Sequence, residues 1–247
     1  MFPLNDLNPT LHKPWATLFL ISVNLLVWFF VQGFGINPYL AQSVCEFGLI
    51  PGELLVSAHP VPGGCLFDAP GDWSTLFTSM FMHGSWFHII GNMWFLWVFG
   101  DNVEDIMGPF RFLLFYLLCG IVAAAAQVVT NLHSVVPMVG ASGAISGVMG
   151  AYALLYPKAR VNTLIFLGFY ITTLEVPALF MLGYWFLIQV VSGLPSLVQS
   201  SGAGVAFWAH IGGFIAGLGL IGLFTRNDYL ARHRAQVLPG TARHRWF

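Results

Sequence analysis

The chain has 247 residues, 57% of them hydrophobic and only 8% charged, with a mean hydropathy of +0.77. Soluble domains carry roughly 25% charged residues, so the composition excludes an ordinary soluble domain and predicts an all-α polytopic membrane protein. The net charge of −1 discriminates little. No nucleic-acid partner is expected, and the placement of charge is more informative than its sum.

In chain order, residues 1–13 read as a short polar lead. Trp15 to Phe34 is a twenty-residue apolar run, long enough for a first span. Neither a basic n-region nor a small-residue cleavage site accompanies it, so it is expected to be retained. Residues 35–75 form a long outer loop rich in Pro and Gly, with Cys45 and Cys65. A disulfide between them is one alternative and free thiols the other, because spacing alone does not give geometry. Leu76 to about Gly100 is the second span, and 101–110 a short acidic turn. Arg111 to about Val129 is the third span, 130–136 a turn, and Pro137 to Tyr156 the fourth. After the basic turn Pro157 to Arg160, Glu175 and Pro177 interrupt a long apolar run. Val161–Thr173 is read as partly interfacial and Val176–Leu194 as the fifth span. A polar loop at 195–203 leads to the sixth span, Gly204 to Phe224. Residues 226–247 form a basic tail, expected to be mobile. The six spans make one membrane domain, 14–225.

All nine Lys and Arg fall at Lys13, at Arg111, at Lys158 and Arg160, and in the tail from Arg226 to Arg245. In a six-span topology these lie on one face. The loops at 35–75, 130–136 and 195–203 lie on the other face and contain none. The positive-inside rule then predicts that both termini are cytoplasmic.

Polar and ionisable residues inside spans cost about 2.5–3.5 kcal/mol for charged types on insertion scales and mark function. The second span holds His83, His88 and Asn92, the fourth Ser142, and the sixth His210. Spans two, four and six run in the same direction. Ser142 is five residues past Pro137 and His210 six past Gly204. At 1.5 Å rise per residue each would sit roughly 8–9 Å below its helix start, a matched depth. Gly143, Gly147 and Gly150 on one helix and Gly213, Gly217 and Gly219 on the other allow close contact. A serine hydroxyl beside a neutral imidazole is an activated nucleophile. His88 and Asn92, four residues apart, share a helix face and, with the Ser142 backbone N–H, can donate to an oxyanion. His83 faces elsewhere and either braces the first loop or lines a vestibule. No Asp or Glu lies mid-span, so orientation of His210 is left to packing. Small-residue helix packing would explain Gly140–Gly147 taken alone, and single helical histidines are commonly structural. A metal at His83 and His88 is not expected, since there is no His-Glu-x-x-His and no Cys cluster.

Gly140-Ala141-Ser142-Gly143, then His210 with Gly213 and Gly217, and the stretch Met82-His83-Gly84-Ser85-Trp86-Phe87-His88-Ile89-Ile90-Gly91-Asn92 together resemble the rhomboid family of intramembrane serine proteases, most closely its six-span members. The similarity covers about residues 8 to 225. It implies a six-transmembrane-helix bundle with Ser142 as nucleophile, His210 as general base, and His88, Asn92 and the Ser142 amide as oxyanion hole. Gly140 and Gly143 would give space beside the nucleophile. Trp185 and Phe186, on span five, become candidates for a gate. The implied activity is cleavage of single-span membrane proteins near the outer face, within the lipid bilayer and without a cofactor or metal. Two departures stand out. Many members have Trp-Arg in the first loop, where this chain has Trp73-Ser74-Thr75. Some carry a Tyr four residues after the nucleophile, stacked on the catalytic His, where this chain has Ser146.

Two other classes are weighed. A non-enzymatic helix-binding protein of the same fold would be favoured by loss of Ser142 or His210, and both are present. A small transporter with midplane polar residues would be supported by inverted repeats, and none is evident. The physiological substrate and the oligomeric state are not legible in the sequence.

Overall fold

The computed structural model describes residues 1–55, 64–65, 71–167, 170–197 and 205–241. The tip of the outer loop with Asp68, most of the loop at 195–203 with the Gly204 start of the sixth span, and the tail end with Arg243 and Arg245 lie outside the described residues.

The chain opens with a strand, β1 (Phe2–Asp6). Pro14 then precedes α1 (Trp15–Phe30). The outer loop contains α2 (Tyr39–Phe47) and α3 (Pro51–Leu55), with Cys45 bonded to Cys65, their Cα atoms 5.2 Å apart. Next come α4 (Thr75–Thr78) and a 3-10 turn at Ser79–Phe81. The long helices α5 (Trp86–Met107) and α6 (Pro109–Thr130) meet at Gly108, whose φ of 76° ends one helix while Pro109 begins the next. Then follow α7 (Ser142–Leu155), the strands β2 (Arg160–Leu167) and β3 (Tyr170–Pro177), α8 (Ala178–Gly193), α9 (Phe207–Phe224) and α10 (Asn227–Thr241).

The structure corrects the all-α expectation. Where Val161–Thr173 was expected to be partly interfacial, β2 and β3 pair with each other, and β1 adds to them in the order β1-β2-β3, antiparallel throughout. Alternating β-branched residues such as Val161, Thr163 and Ile165 suit a pleated surface. Pro177, read as an interruption of one helix, closes β3 and opens α8. The acidic turn expected at 101–110 is instead the last two turns of α5. Two of its carboxylates, Glu104 and Asp105, are buried because they bond backbone at the start of α1 and in the polar lead. Glu104 accepts hydrogen bonds from the Ala16 and Thr17 N–H groups and the Thr17 hydroxyl, each at 2.8 Å. These N–H groups open α1, where Pro14 offers no side-chain cap, so a carboxylate from another helix satisfies them. Asp105 likewise accepts from the N–H groups of Leu11 and His12. The first part of the tail is also ordered. His233 contacts the Pro9 carbonyl at 3.0 Å, and Tyr229 stacks on His12.

Two helices, α6 and α9, are long and apolar enough to cross a membrane by length and hydropathy, and α1, α7 and α8 are shorter apolar helices. At the centre is α7, buried at every position from Gly143 to Ala153. It meets α9 through glycines. A Cβ at Gly213 would strike the Gly143 carbonyl, and one at Gly217 the Gly147 carbonyl. α6 closes on the same glycines of α7: a Cβ at Gly143 would meet Ala123 and one at Gly147 would meet Cys119, both on α6. Gly219, expected at this seam, faces open space instead, because a two-residue step from Gly217 turns it to the far side of the helix.

These contacts yield two expected outcomes. Gly217→Val drives a side chain into backbone that cannot rotate away, and it should destabilise the folded protein in detergent by about 3 kcal/mol or more. Gly219→Val should lie within about 1 kcal/mol of wild type. Thermal unfolding of the two variants side by side checks the contrast, and equal losses would refute the seam. At the lead, the Asp6 carboxylate accepts from the Tyr152 hydroxyl at 2.6 Å, yet burial raises Asp6 from 3.8 to about 6. Between those pH values the folded chain holds a proton that the unfolded chain has lost, so stability declines as pH rises through that window. Asp6→Asn keeps an acceptor for Tyr152 and should flatten the decline in a series of melting curves.

Candidate active site

Residues 137–140 approach the bundle as non-helical chain, not as the first turns of a helix. Leu49 and Met138 exchange both backbone hydrogen bonds, at 2.9 and 2.7 Å, and the Gly140 N–H donates to the Ser79 carbonyl at 2.9 Å. Gly140 has φ of 127°, a conformation open mainly to glycine. A helix cannot form through it, so α7 starts at Ser142. The second span starts late for a related reason. Met82 is extended, and Ser85 caps α5 by accepting the His88 N–H at 3.2 Å. His83 therefore precedes the helix, and His88 is the third residue of α5. In the same way His210 is the fourth residue of α9. The matched depth expected for Ser142 and His210 is real, but it arises from helix starts carried inward by irregular chain, not from equal descents along two full-length helices.

Ser142 and His210 meet, with Oγ and Nε2 2.8 Å apart. On the ring's other side, Nδ1 lies 2.8 Å from Oε1 of Gln189 on α8. Gln189 is not among the residues that the sequence motifs single out. The available signal was an amide in the middle of an apolar run, four residues after Trp185. The Trp185 ring packs beside His210 with centroids 5.7 Å apart, and Phe186 stacks on Phe214 at 4.7 Å. Both aromatics thus turn toward α9.

His88 and Asn92 share a face of α5 and border the same space. The Gly84 N–H donates to His88 Nδ1 at 3.3 Å. This leaves the proton on Nε2, which points toward Gly140. A Cβ at Gly140 would come within 2.6 Å of that atom and 3.5 Å of the Asn92 amide nitrogen. The Asn92 Nδ2 is buried with no partner among the described residues. The first N–H groups of α7, including that of Ser142, have no intrahelical acceptor. Three kinds of donor therefore surround the Ser142 hydroxyl. The cavity they border has a volume of about 840 Å³ and also reaches Gln127, Trp185 and Trp208.

His83 does not line this cavity. Its ring is fully buried, edge-on to His88 at 5.1 Å. Its backbone exchanges two 2.8 Å hydrogen bonds with the Gln32 amide. Neither ring nitrogen has a hydrogen-bond partner among the described residues. Gly213 and Gly217 serve the helix seam described above. No group of three or more His, Cys, Asp or Glu positioned for a metal occurs among the described residues.

A family profile described as Rhomboid domain matches residues 70–227. The chain belongs to the rhomboid family. It is 32% identical over 205 residues to the Rhomboid protease GluP of Bacillus subtilis (strain 168), covering 83% of this chain and 34% of that protein. It is 35% identical over 104 residues to the human Presenilin-associated rhomboid-like protein, mitochondrial, covering 40% of this chain and 27% of that protein. It is 33% identical over 109 residues to the Putative rhomboid protease YdcA of B. subtilis, covering 44% of this chain and 54% of that protein. The alignments thus span between about a quarter and a half of the relatives' own lengths.

Both departures from the common rhomboid pattern have visible structural replacements. Ser146, at the position of the stacking Tyr, donates to the Ser142 carbonyl at 2.6 Å, and the aromatic beside His210 comes from Trp185 instead. In the first loop, Asp72 accepts from the Ser74 N–H and hydroxyl, and Thr75 donates to the Asp72 carbonyl at 2.6 Å. The Thr78 hydroxyl donates to the Phe47 carbonyl at 2.9 Å, and the Cys45–Cys65 bond closes the other side. Among the described residues, the Asp72 carboxylate, hydroxyl contacts and a covalent link hold this loop, whose sequence has no Arg.

Gly140→Ala tests the assembly. It strains the backbone by about 1–3 kcal/mol and displaces the His88 ring. The variant should fold, yet label Ser142 with a fluorophosphonate at least about tenfold more slowly than wild type. Labelling at the wild-type rate would show that the tight approach of Gly140 to His88 is not needed.

Proposed function

We propose that this rhomboid is an intramembrane serine protease that cleaves the transmembrane helices of single-span proteins near the outer membrane face with a Ser142–His210 dyad. The observation that carries the proposal is the 2.8 Å contact between Ser142 Oγ and His210 Nε2, set among unpaired donors at the start of α7. In this reading α1, α5, α6, α7, α8 and α9 are the six spans, and Lys13, Arg111, Lys158, Arg160 and the tail face the cytoplasm. A substrate helix enters sideways between α5 and α8, where Trp185 and Phe186 lie at the gate, and unwinds locally to expose a peptide carbonyl.

His210 Nε2 takes the Ser142 hydroxyl proton as Oγ bonds to the carbonyl carbon. The carbonyl oxygen becomes an oxyanion held by the Ser142 N–H, His88 Nε2–H and Asn92 Nδ2. The C–N bond then breaks as Nε2 returns the proton to the leaving amine, giving an acyl-serine. Water from the cavity mouth, past Ser85 and His88, attacks the ester. Nε2 takes its proton and passes it to Oγ, releasing the new carboxyl end. The chemistry calls for no metal and no cofactor. Preorganised donors are worth about 10²–10³ in rate each when they meet charge that develops only in the transition state.

In liposomes with a model single-span substrate, wild type should cut and Ser142→Ala and His210→Ala should not, all three being folded. Asn92→Ala should lower kcat about 10²-fold with a smaller change in KM. Substrate binding without cleavage by wild type across several substrates would overturn the protease reading in favour of a helix-binding protein.

A further inference from the structure

We infer that Gln189, a neutral amide on α8, is the positioning residue for the general base, so that α8 and not an acidic triad member sets the state of His210. The inference rests on the dyad reading above and adds to it the group that orients the ring. Its starting point is a hydrogen-bond chain. Gln189 Nε2 donates to the Trp185 carbonyl at 3.3 Å, and its Oε1 faces His210 Nδ1 at 2.8 Å. The opposite amide orientation would set Oε1 against a carbonyl oxygen, two acceptors with no proton between them, so the amide oxygen must face the ring. An amide oxygen only accepts. His210 Nδ1 therefore carries the proton, and Nε2 presents its lone pair to the Ser142 hydroxyl. The tautomer that a general base requires is the one that Gln189 selects.

The choice of an amide has a physical reason. Gln189 is 6% exposed and His210 9%, and no Asp or Glu borders the cavity among the described residues. A carboxylate at this depth would add the desolvation cost of a buried charge. A neutral carbonyl provides the same acceptor at much lower cost. Trp185, one turn before Gln189 on the same face of α8, packs on the ring and limits its tilt. One helix thus supplies both the acceptor and the aromatic wall. A shift of α8 away from α9 would release the base, so catalytic competence depends on where α8 sits.

The tautomer is measurable without any variant. In 15N-labelled wild type at neutral pH, His210 should show the spectrum of an Nδ1–H imidazole, and an Nε2–H ring would overturn the inference. Gln189→Leu, similar in size but with no acceptor, should lower kcat about 10–100-fold with KM nearly unchanged and give mixed tautomers. Gln189→Glu, which restores an acceptor oxygen, should recover most of that loss. A folded Gln189→Leu protein with wild-type kcat and a single Nδ1–H tautomer would also overturn the inference. If Gln189→Leu does not fold, the wild-type spectrum and Gln189→Glu still decide. Failure of the protease reading looks different: wild type would cut no substrate, while the spectrum would still report whether the Gln189–His210 bond exists.

Discussion

The backbones of α7 and α9 run so close that Gly213 and Gly217 have no room for a single methyl group, each being filled by a carbonyl of the facing helix. Everything at the site depends on this approach. Serine and histidine have short reach, and a 2.8 Å contact between them across two helices requires a separation smaller than ordinary side chains permit. Ala123 and Cys119 on α6 close on the same face of α7. Ser142 is therefore carried by the most enclosed helix of the bundle and cannot shift without the others.

A second constraint concerns where helices begin. His88, Ser142 and His210 are the third, first and fourth residues of α5, α7 and α9. Three helix starts converge, each with N–H groups that lack intrahelical acceptors and with the positive end of its dipole turned inward. A site in the middle of three continuous helices would have had only side-chain donors, because every backbone N–H would be bonded. The irregular segments before Trp86 and Ser142 avoid that, and they are tolerated because protein surrounds them and satisfies their groups: Gly140 through Ser79, and Met138 through Leu49.

At the far end of α5 the same polar accounting takes a different form. Glu104 and Asp105 are almost fully buried, Glu104 accepting backbone N–H groups from the start of α1 and Asp105 from the lead. β1 then pairs with β2, and Tyr152 reaches Asp6 from α7. The short lead therefore ties α1, α5, α7 and the sheet together, and α10 closes over it through His233 and Tyr229.

Much of this was legible in the residues. Hydropathy marked the apolar runs, because burial of a whole helix needs apolar residues on all sides. His88, Asn92, Ser142 and His210 marked a candidate site, because buried polar groups are costly. Gly213 and Gly217 announced a close seam. What the sequence could not settle was decided by partners distant along the chain. The acidic stretch 101–110 reads as a turn until Ala16 and Thr17 come to bond Glu104. The apolar run from Val161 reads as helix or strand until β1 pairs with it, and Gly219 looks like Gly217 until packing separates them. Gln189 has no evident partner in the sequence, where it is one amide in an apolar run. It acquires one only when the fold brings it 2.8 Å from His210, because hydrogen bonds depend on distance and direction in space rather than on position along the chain.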